Sequence, residues 1–410
     1  MGPGSGPVPQ RADNPTPHPS EGLNVTATGT PAQGELLPQP PGTPYPGLNF
    51  LRLVLAAAVL VSHAFPAFGL TEPQLVGRSL GGWAVMGFFA LSGFLIAQSR
   101  QRLGLPSFLA RRVGRLMPGY WACLVLTVLA ATAFTTAPLV GRDGGLSHVL
   151  SNALLYQASS DIAGTPRGVP YPGVWNASAW TLPHEFMCYI AVGLVYSVVR
   201  GSQIRERVLA VTIWLGLVAL QVALPHTALG SVFLKQFSLL APLFFGGVVV
   251  AVCLPKVTLR PVHAAAAGLA SGLLVVLEPR FGASLAAPLV AIVLLTLGRR
   301  GGPGLIQRHD ISYGVYLYAF PVSQVLVGVW ADTWSFAAYV LAVGAITSTL
   351  AVASWALVER PAQVWVKNRV GAGVASNRRR PPASEVGRAR ESRSDAAGRS
   401  ARPSARSGGG

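Results

Sequence analysis

The chain is 410 residues long, 51% apolar and only 11% charged, where a soluble domain carries about 25% charged residues. That composition excludes an ordinary soluble globular protein and points to an integral membrane protein of many helices. The formal net charge of +17 does not mark a nucleic-acid face: from Arg360 onward twelve Lys or Arg stand against three acids, and most other basic residues lie in short connections between apolar runs.

Residues 1–44 are polar, rich in Pro, Gly and Thr, and lack the apolar stretch of a signal peptide. They have too little to bury and are expected to be disordered. Ten apolar segments follow, at about 48–70, 80–99, 118–138, 178–199, 207–225, 232–254, 262–277, 283–298, 311–330 and 335–358. The seventh and eighth are short and rich in Ala. Residues 366–410 turn to Arg, Ser, Gly and Pro, a second disordered tail. The expectation is an all-α, polytopic membrane protein of about ten transmembrane helices spanning 45–365. Cys123, Cys188 and Cys253 fall within predicted spans, and no zinc spacing exists, so no metal site is expected.

Loop charges orient the chain. The even-numbered connections hold Arg100, Arg102, Arg111, Arg112 and Arg115; then Arg200, Arg205 and Arg207; Lys256 and Arg260; and Arg299, Arg300 and Arg308. The odd-numbered ones hold only Arg78, Arg142, Arg167 and Arg280. By the positive-inside rule the even connections and both termini are cytoplasmic, in a cell membrane crossed many times.

The first span carries two ionisable residues, Arg52 and His63. Eleven residues separate them, which on a helix is three turns and a further ~20°, so they share a face about 16 Å apart in depth. Ionisable residues inside a span usually face a bundle interior or a water-filled cavity, so the pair reads as a polar seam. An imidazole, with an ordinary pKa of about 6.5, suits proton transfer near neutrality, and His63 is the candidate general base. Glu185, in the fourth span, comes out at a similar depth, roughly 10 Å below the outer surface. It either orients His63 or is itself the base; a structural ion pair with an arginine is the plainer alternative. His184 points ~100° away from Glu185 and reads as a packing residue.

Arg111 and Arg115 lie four apart on one face beside Arg112 and suit a phosphate-bearing ligand, or else serve topology and lipid headgroups. Ser92, between Gly87 and Gly93, fits close helix packing as readily as function. Tyr313 and Tyr316 share a face where an interfacial aromatic belt is the default. Glu359 reads as half of an ion pair.

Six segments in order resemble the acyltransferase family 3 of membrane acyltransferases. They are Arg52-x10-His63; Gly87 to Ile96, GFFALSGFLI; Phe108, Arg111, Arg112, Arg115 and Pro118; Trp180 to Glu185, WTLPHE; Ser312-Tyr313 with Tyr316, Leu317 and Pro321; and Glu359-x-Pro361. The chain departs where it has Ala319, a position often histidine in the family, whose role is then dispensable or moved to Tyr318 or Gln324. The resemblance implies an integral membrane O-acyltransferase over 45–365 that takes an acyl group, acetyl in the first instance, from cytoplasmic acyl-CoA to a hydroxyl of a carbohydrate or glycosylated acceptor. Exopolysaccharide, lipid-linked glycan, peptidoglycan and a glycoside such as a macrolide are all open. It also implies His63 and Glu185 as catalytic residues, with His63 either the base or a nucleophile that first accepts the acyl group, and Arg52, Arg111, Arg112, Arg115, Ser92, Trp180, Tyr313 and Tyr316 as substrate-binding residues. No permanently bound cofactor is expected. Membrane lipids are expected partners, as is a further extracytoplasmic protein if transfer is not finished here. A transporter or flippase of a glycan precursor or acyl group would also use intramembrane Arg, His and Glu, but no internal repeat is visible to support it.

Overall fold

The computed structural model describes residues 45–134, 144–199, 201–224, 231–255, 260–330 and 334–379, with the side chains of Leu305, Arg308, Trp330 and 371–379 excepted. The stretches 1–44 and 380–410, and the loop residues Arg142, Arg200 and Lys256, lie outside the described residues. Lipid leaves no water to satisfy backbone polar groups, so each apolar run must close its hydrogen bonds internally as a helix. The helices are α1 (Leu48–Ala67), α2 (Leu80–Arg102), α3 (Leu105–Ala131), α4 (Gly145–Asn152), α5 (Leu182–Val199), α6 (Gln203–Ala223), α7 (Val232–Cys253), α8 (Pro261–Leu277), α9 (Gly282–Gly298), α10 (Gly304–Arg308), α11 (Ser312–Trp330), α12 (Phe336–Ser354) and α13 (Arg360–Arg379). A single hairpin of β1 (Gln74–Leu75) and β2 (Arg78–Ser79) joins α1 to α2.

Among the described residues, eight helical stretches are long and apolar enough to cross a membrane. The other two of the ten expected segments are α8 and α9, 17 residues each. They pack on one another, and α9 also packs on α7. Helix α11 is the most enclosed span, and α6 and α12 leave most of their surface outside the bundle. Helices α2 and α7 meet backbone to backbone: a Cβ on Gly93 would strike Phe244, and one on Gly247 would strike Ala90. Small residues permit such approach between spans.

Two boundaries differ from the sequence expectation. Helix α3 begins at Leu105, not near 118, and runs through Pro118. The carbonyl a proline frees is tolerated within a bundle, and the helix therefore carries Arg111, Arg112 and Arg115 on its own surface. The boundary at 365 is not a helix end. After α12 a π-helical turn, Trp355–Glu359, leads into α13. Pro361 has no N–H for the Leu357 carbonyl, which accounts for the widened turn. Val366 then packs over Gly114 of α3.

Prolines inside spans also make docking points. Pro288 leaves the Ser284 carbonyl without a helical donor, and Trp214 Nε1 of α6 fills it at 3.2 Å. Pro321 does the same to Leu317 on α11. Its carbonyl accepts from Asn176 Nδ2 at 3.0 Å and from Cys123 Sγ at 3.4 Å. Asn176 belongs to the connection between α4 and α5. That connection folds on itself around a buried Trp175, whose Nε1 donates to Thr165 Oγ1 at 3.2 Å. Gln324, fully buried on α11, donates to the carbonyls of Tyr171 (2.6 Å) and Val174 (2.7 Å) and holds the connection across the end of the bundle.

Candidate active site

His63 sits in the last third of α1, half-buried, at the end covered by that connection. Its Nδ1 shares a hydrogen bond with Ser178 Oγ at 3.2 Å, and its ring lies edge-on to Phe320 of α11 at 5.5 Å. Its Nε2 has no hydrogen-bond partner among the described residues. With the proton on Nδ1 donated to Ser178, Nε2 carries the lone pair a base needs. The expected orienting contact from Glu185 is not there. The Glu185 Oε1 atom accepts from Ser92 Oγ at 2.7 Å and from Tyr189 OH at 2.6 Å. The carboxylate is held by those two hydroxyls, so similar depth did not bring Glu185 to the imidazole. Glu185 also makes no ion pair among the described residues. Its place in the first turn of α5 suits a carboxylate, because the exposed N–H groups there favour negative charge.

Five of the expected residues line one small cavity: Arg52, Ser92, Glu185, Tyr313 and Tyr316, joined by Thr181 and Phe88. Its free volume is about 40 Å³, room for waters rather than for an acyl donor. The tyrosines are buried and do not form an interfacial belt. Tyr313 OH donates to the Leu116 carbonyl at 2.8 Å, tying α11 to α3. Tyr316 OH donates to the Ser178 carbonyl at 2.8 Å and shares a 2.6 Å hydrogen bond with Thr181 Oγ1. Ser178 thus faces His63 with its side chain and the cavity wall with its backbone. Trp180 does not line the cavity; its ring packs on His184. His184 is a packing residue as expected. It stacks on Phe233 at 4.3 Å, and its two nitrogens hydrogen-bond the carbonyls of Trp180 (2.8 Å) and Phe233 (3.2 Å).

The opposite end of the cavity is charged. Arg52 of α1 and Arg115 of α3 both pair with Oδ2 of Asp310, whose Oδ1 accepts from Ser312 Oγ at 2.6 Å. Burial acts to raise the Asp310 pKa, but the two guanidinium groups outweigh it and hold the carboxyl well below the usual carboxylate range. Arg112 donates to Ser99 Oγ at 3.3 Å and lies over the Phe108 ring. The Nε atoms of Arg111 and Arg112 are buried without a partner among the described residues. Two arginines matched by one carboxylate, with two more beside them, leave the cluster positive and suited to phosphate oxygens. Glu359 is 1% exposed and is not an ion-pair partner among the described residues; Ser354 Oγ donates to it at 3.0 Å.

Three residues of this site escaped the sequence reading. Asp310 precedes the ninth span in RHDISYG, and an acid at the mouth of a span opposite in-span arginines is the signal that marks it. Ser178 and Asn176 lie in an irregular connection with no periodicity. Asn176 Nδ2 occupies the carbonyl freed by Pro321, and its Oδ1 accepts from the Ser178 N–H at 3.0 Å. The proline in α11 thereby places the serine against His63. Gln324, one of the two substitutes considered for the missing histidine at Ala319, holds backbone. The other, Tyr318, donates to Ser354 Oγ at 3.1 Å.

The chain is similar to three curated proteins. It is 30% identical to an O-acetyl transferase of Shigella phage Sf6 over 67% of this chain and 84% of that one. It is 26% identical to nodulation protein 10 of Rhizobium leguminosarum bv. viciae over 77% and 92%. It is 28% identical to acyltransferase MdmB of Streptomyces mycarofaciens over 39% and 41%. No solved structure matches the chain. Residues 45–358, from three residues before the first helix to within the π turn, match the acyltransferase domain, and the chain belongs to the acyltransferase 3 family.

Proposed function

We propose that this membrane acyltransferase moves an acetyl group from cytoplasmic acyl-CoA to a hydroxyl of a carbohydrate acceptor. The observation that carries the reading is a cavity lined by Arg52 and by Tyr316, whose hydroxyl bonds the Ser178 carbonyl, with Ser178 Oγ in turn on His63, which itself lies outside the cavity lining. Arg111, Arg112 and Arg115 take the donor's phosphates at the cytoplasmic surface, with Arg52 steering the arm inward. Glu185 and the tyrosine rings line its path, which must widen beyond the present volume of about 40 Å³ for the arm to enter. At the far end His63 Nε2 removes the acceptor's hydroxyl proton as the oxygen attacks the thioester carbonyl. The C–S bond breaks, and the departing thiolate recovers the proton from the imidazolium, so no net proton is consumed. Ser178 holds the ring through Nδ1 in the role expected of Glu185. The similarity to a protein named O-acetyl transferase supports acetyl as the group.

The test is mass spectrometry of surface glycans and secreted glycosides from a deletion strain complemented with wild type or His63→Ala. An acetyl increment restored by wild type alone supports the reading and names the acceptor. A different lost mass changes the donor, and an unchanged glycan profile overturns the reading.

A further inference from the structure

The connection over the His63 end carries an exposed aromatic ring that is one buried ring away from the imidazole. Tyr171 is 38% exposed and lies edge-on to Phe320 at 5.5 Å, and Phe320 lies edge-on to His63 at the same distance. Tyr171 and His63 are therefore no further apart than those two contacts combined, within reach of one small molecule. The Tyr171 hydroxyl makes no hydrogen bond among the described residues, so the ring is not held there by its polar end. Its backbone is held firmly instead. Pro170 and Pro172 restrict the chain on both sides. Gln324 donates to the Tyr171 carbonyl at 2.6 Å, and Pro170 packs over Gly69 beyond the end of α1. A glutamine buried completely in a span is thus committed to fixing the backbone of an exposed tyrosine.

On the reading that His63 deprotonates a carbohydrate hydroxyl, we infer that Tyr171 is the platform on which the acceptor's sugar ring lies. A pyranose has a face of C–H groups that suits the electron-rich face of an aromatic ring, while its hydroxyls project from the rim. A ring set in place before binding gives that contact with little ordering cost. The platform selects for a cyclic acceptor and presents its rim hydroxyls toward Nε2. Its backbone anchors do not involve the tyrosine side chain, so the ring can be changed without releasing the connection.

The test uses the full-length protein in liposomes, labelled acetyl-CoA, and a panel of methyl hexopyranosides and methyl 6-deoxyhexopyranosides as acceptors. Tyr171→Ala is expected to raise the KM for the accepted glycoside about tenfold, in line with the loss of one aromatic contact, with kcat changed less than twofold. Tyr171→Phe and Tyr171→Trp are expected to stay within threefold of wild type. An unchanged KM in Tyr171→Ala, or Tyr171→Phe losing as much as Tyr171→Ala, overturns the platform. Should Tyr171→Ala melt earlier in detergent, the Tyr171→Leu variant, which keeps the bulk and loses the aromatic face, decides the same question. Wild type that transfers acetyl to none of the glycosides overturns the carbohydrate reading itself, and with it the platform.

Discussion

The arginine cluster beside the cavity and the His63 site behind Tyr316 and Ser178 are built by opposite means. At the arginine end, charge is met by charge: Asp310 joins α1, α3 and the start of α11 through two ion pairs. At His63 the imidazole's own contacts, Ser178 and Phe320, are neutral groups, and the serine comes from an irregular connection docked on a proline-freed carbonyl. A charged cluster can grip a polyanion and stay formed, because pairing offsets the cost of taking ions from water. A base must keep a lone pair, and a carboxylate against the imidazole would favour its protonated form. A serine orients the ring without doing so.

Breaking the neutral end at its centre is expected to have the largest effect. His63→Ala should lower acyl transfer about a thousandfold, within the range for loss of a general base, with protein amounts in the membrane unchanged by immunoblot. At the charged end, Asp310→Asn leaves two guanidinium groups without their carboxylate and should cost about 3 kcal/mol of stability, read as an earlier melting midpoint in detergent. Ser178→Ala removes one neutral hydrogen bond from the imidazole, and about a tenfold fall in kcat is expected. Asn176→Ala leaves the Leu317 carbonyl only the weak Cys123 thiol donor, at about 1 kcal/mol. Combined with Pro321→Ala, which returns a helical N–H to that carbonyl, it should cost less than the two single changes together.

The last effect is an absence. A carboxylate held below its ordinary pKa contributes stability that is present above the unfolded value of about 3.9 and is lost as pH falls through the folded value. The Asp310 pairs should therefore add no slope to stability between pH 8 and pH 5. A midpoint that falls steadily across that range would break the contrast between the ends.

Much of this could be read from residue order, because spans announce themselves through apolar length and paired polar residues such as Arg52 and His63 through helical period. Arg52, Ser92, Glu185, Tyr313 and Tyr316 sit on regular helices and meet at one cavity, although residue pattern alone reads the tyrosines as an interfacial belt and Ser92 as packing. What misled was depth. His63 and Glu185 were placed at one level, but level says nothing about direction around the bundle, and Ser92 and Tyr189 claim the carboxylate. Asn176 and Ser178 were illegible for a different reason. Their places depend on a carbonyl liberated 141 residues away in the case of Asn176, and no local pattern encodes such a partner. The start of α3 was missed because Pro118 looks like the beginning of a helix and is in fact inside one.

The carbonyl that Pro321 liberates has a consequence beyond this molecule. It is a socket, and Asn176 is its plug. A covering segment held by this plug, and otherwise through its own backbone carbonyls by Gln324 and Tyr316, is free to vary in its remaining side chains while the helical engine beneath stays the same. Transplanting the segment between relatives, plug retained, should then exchange the acceptor and leave the donor machinery untouched, so that new acylation targets arise by swapping a cover rather than by rebuilding a bundle.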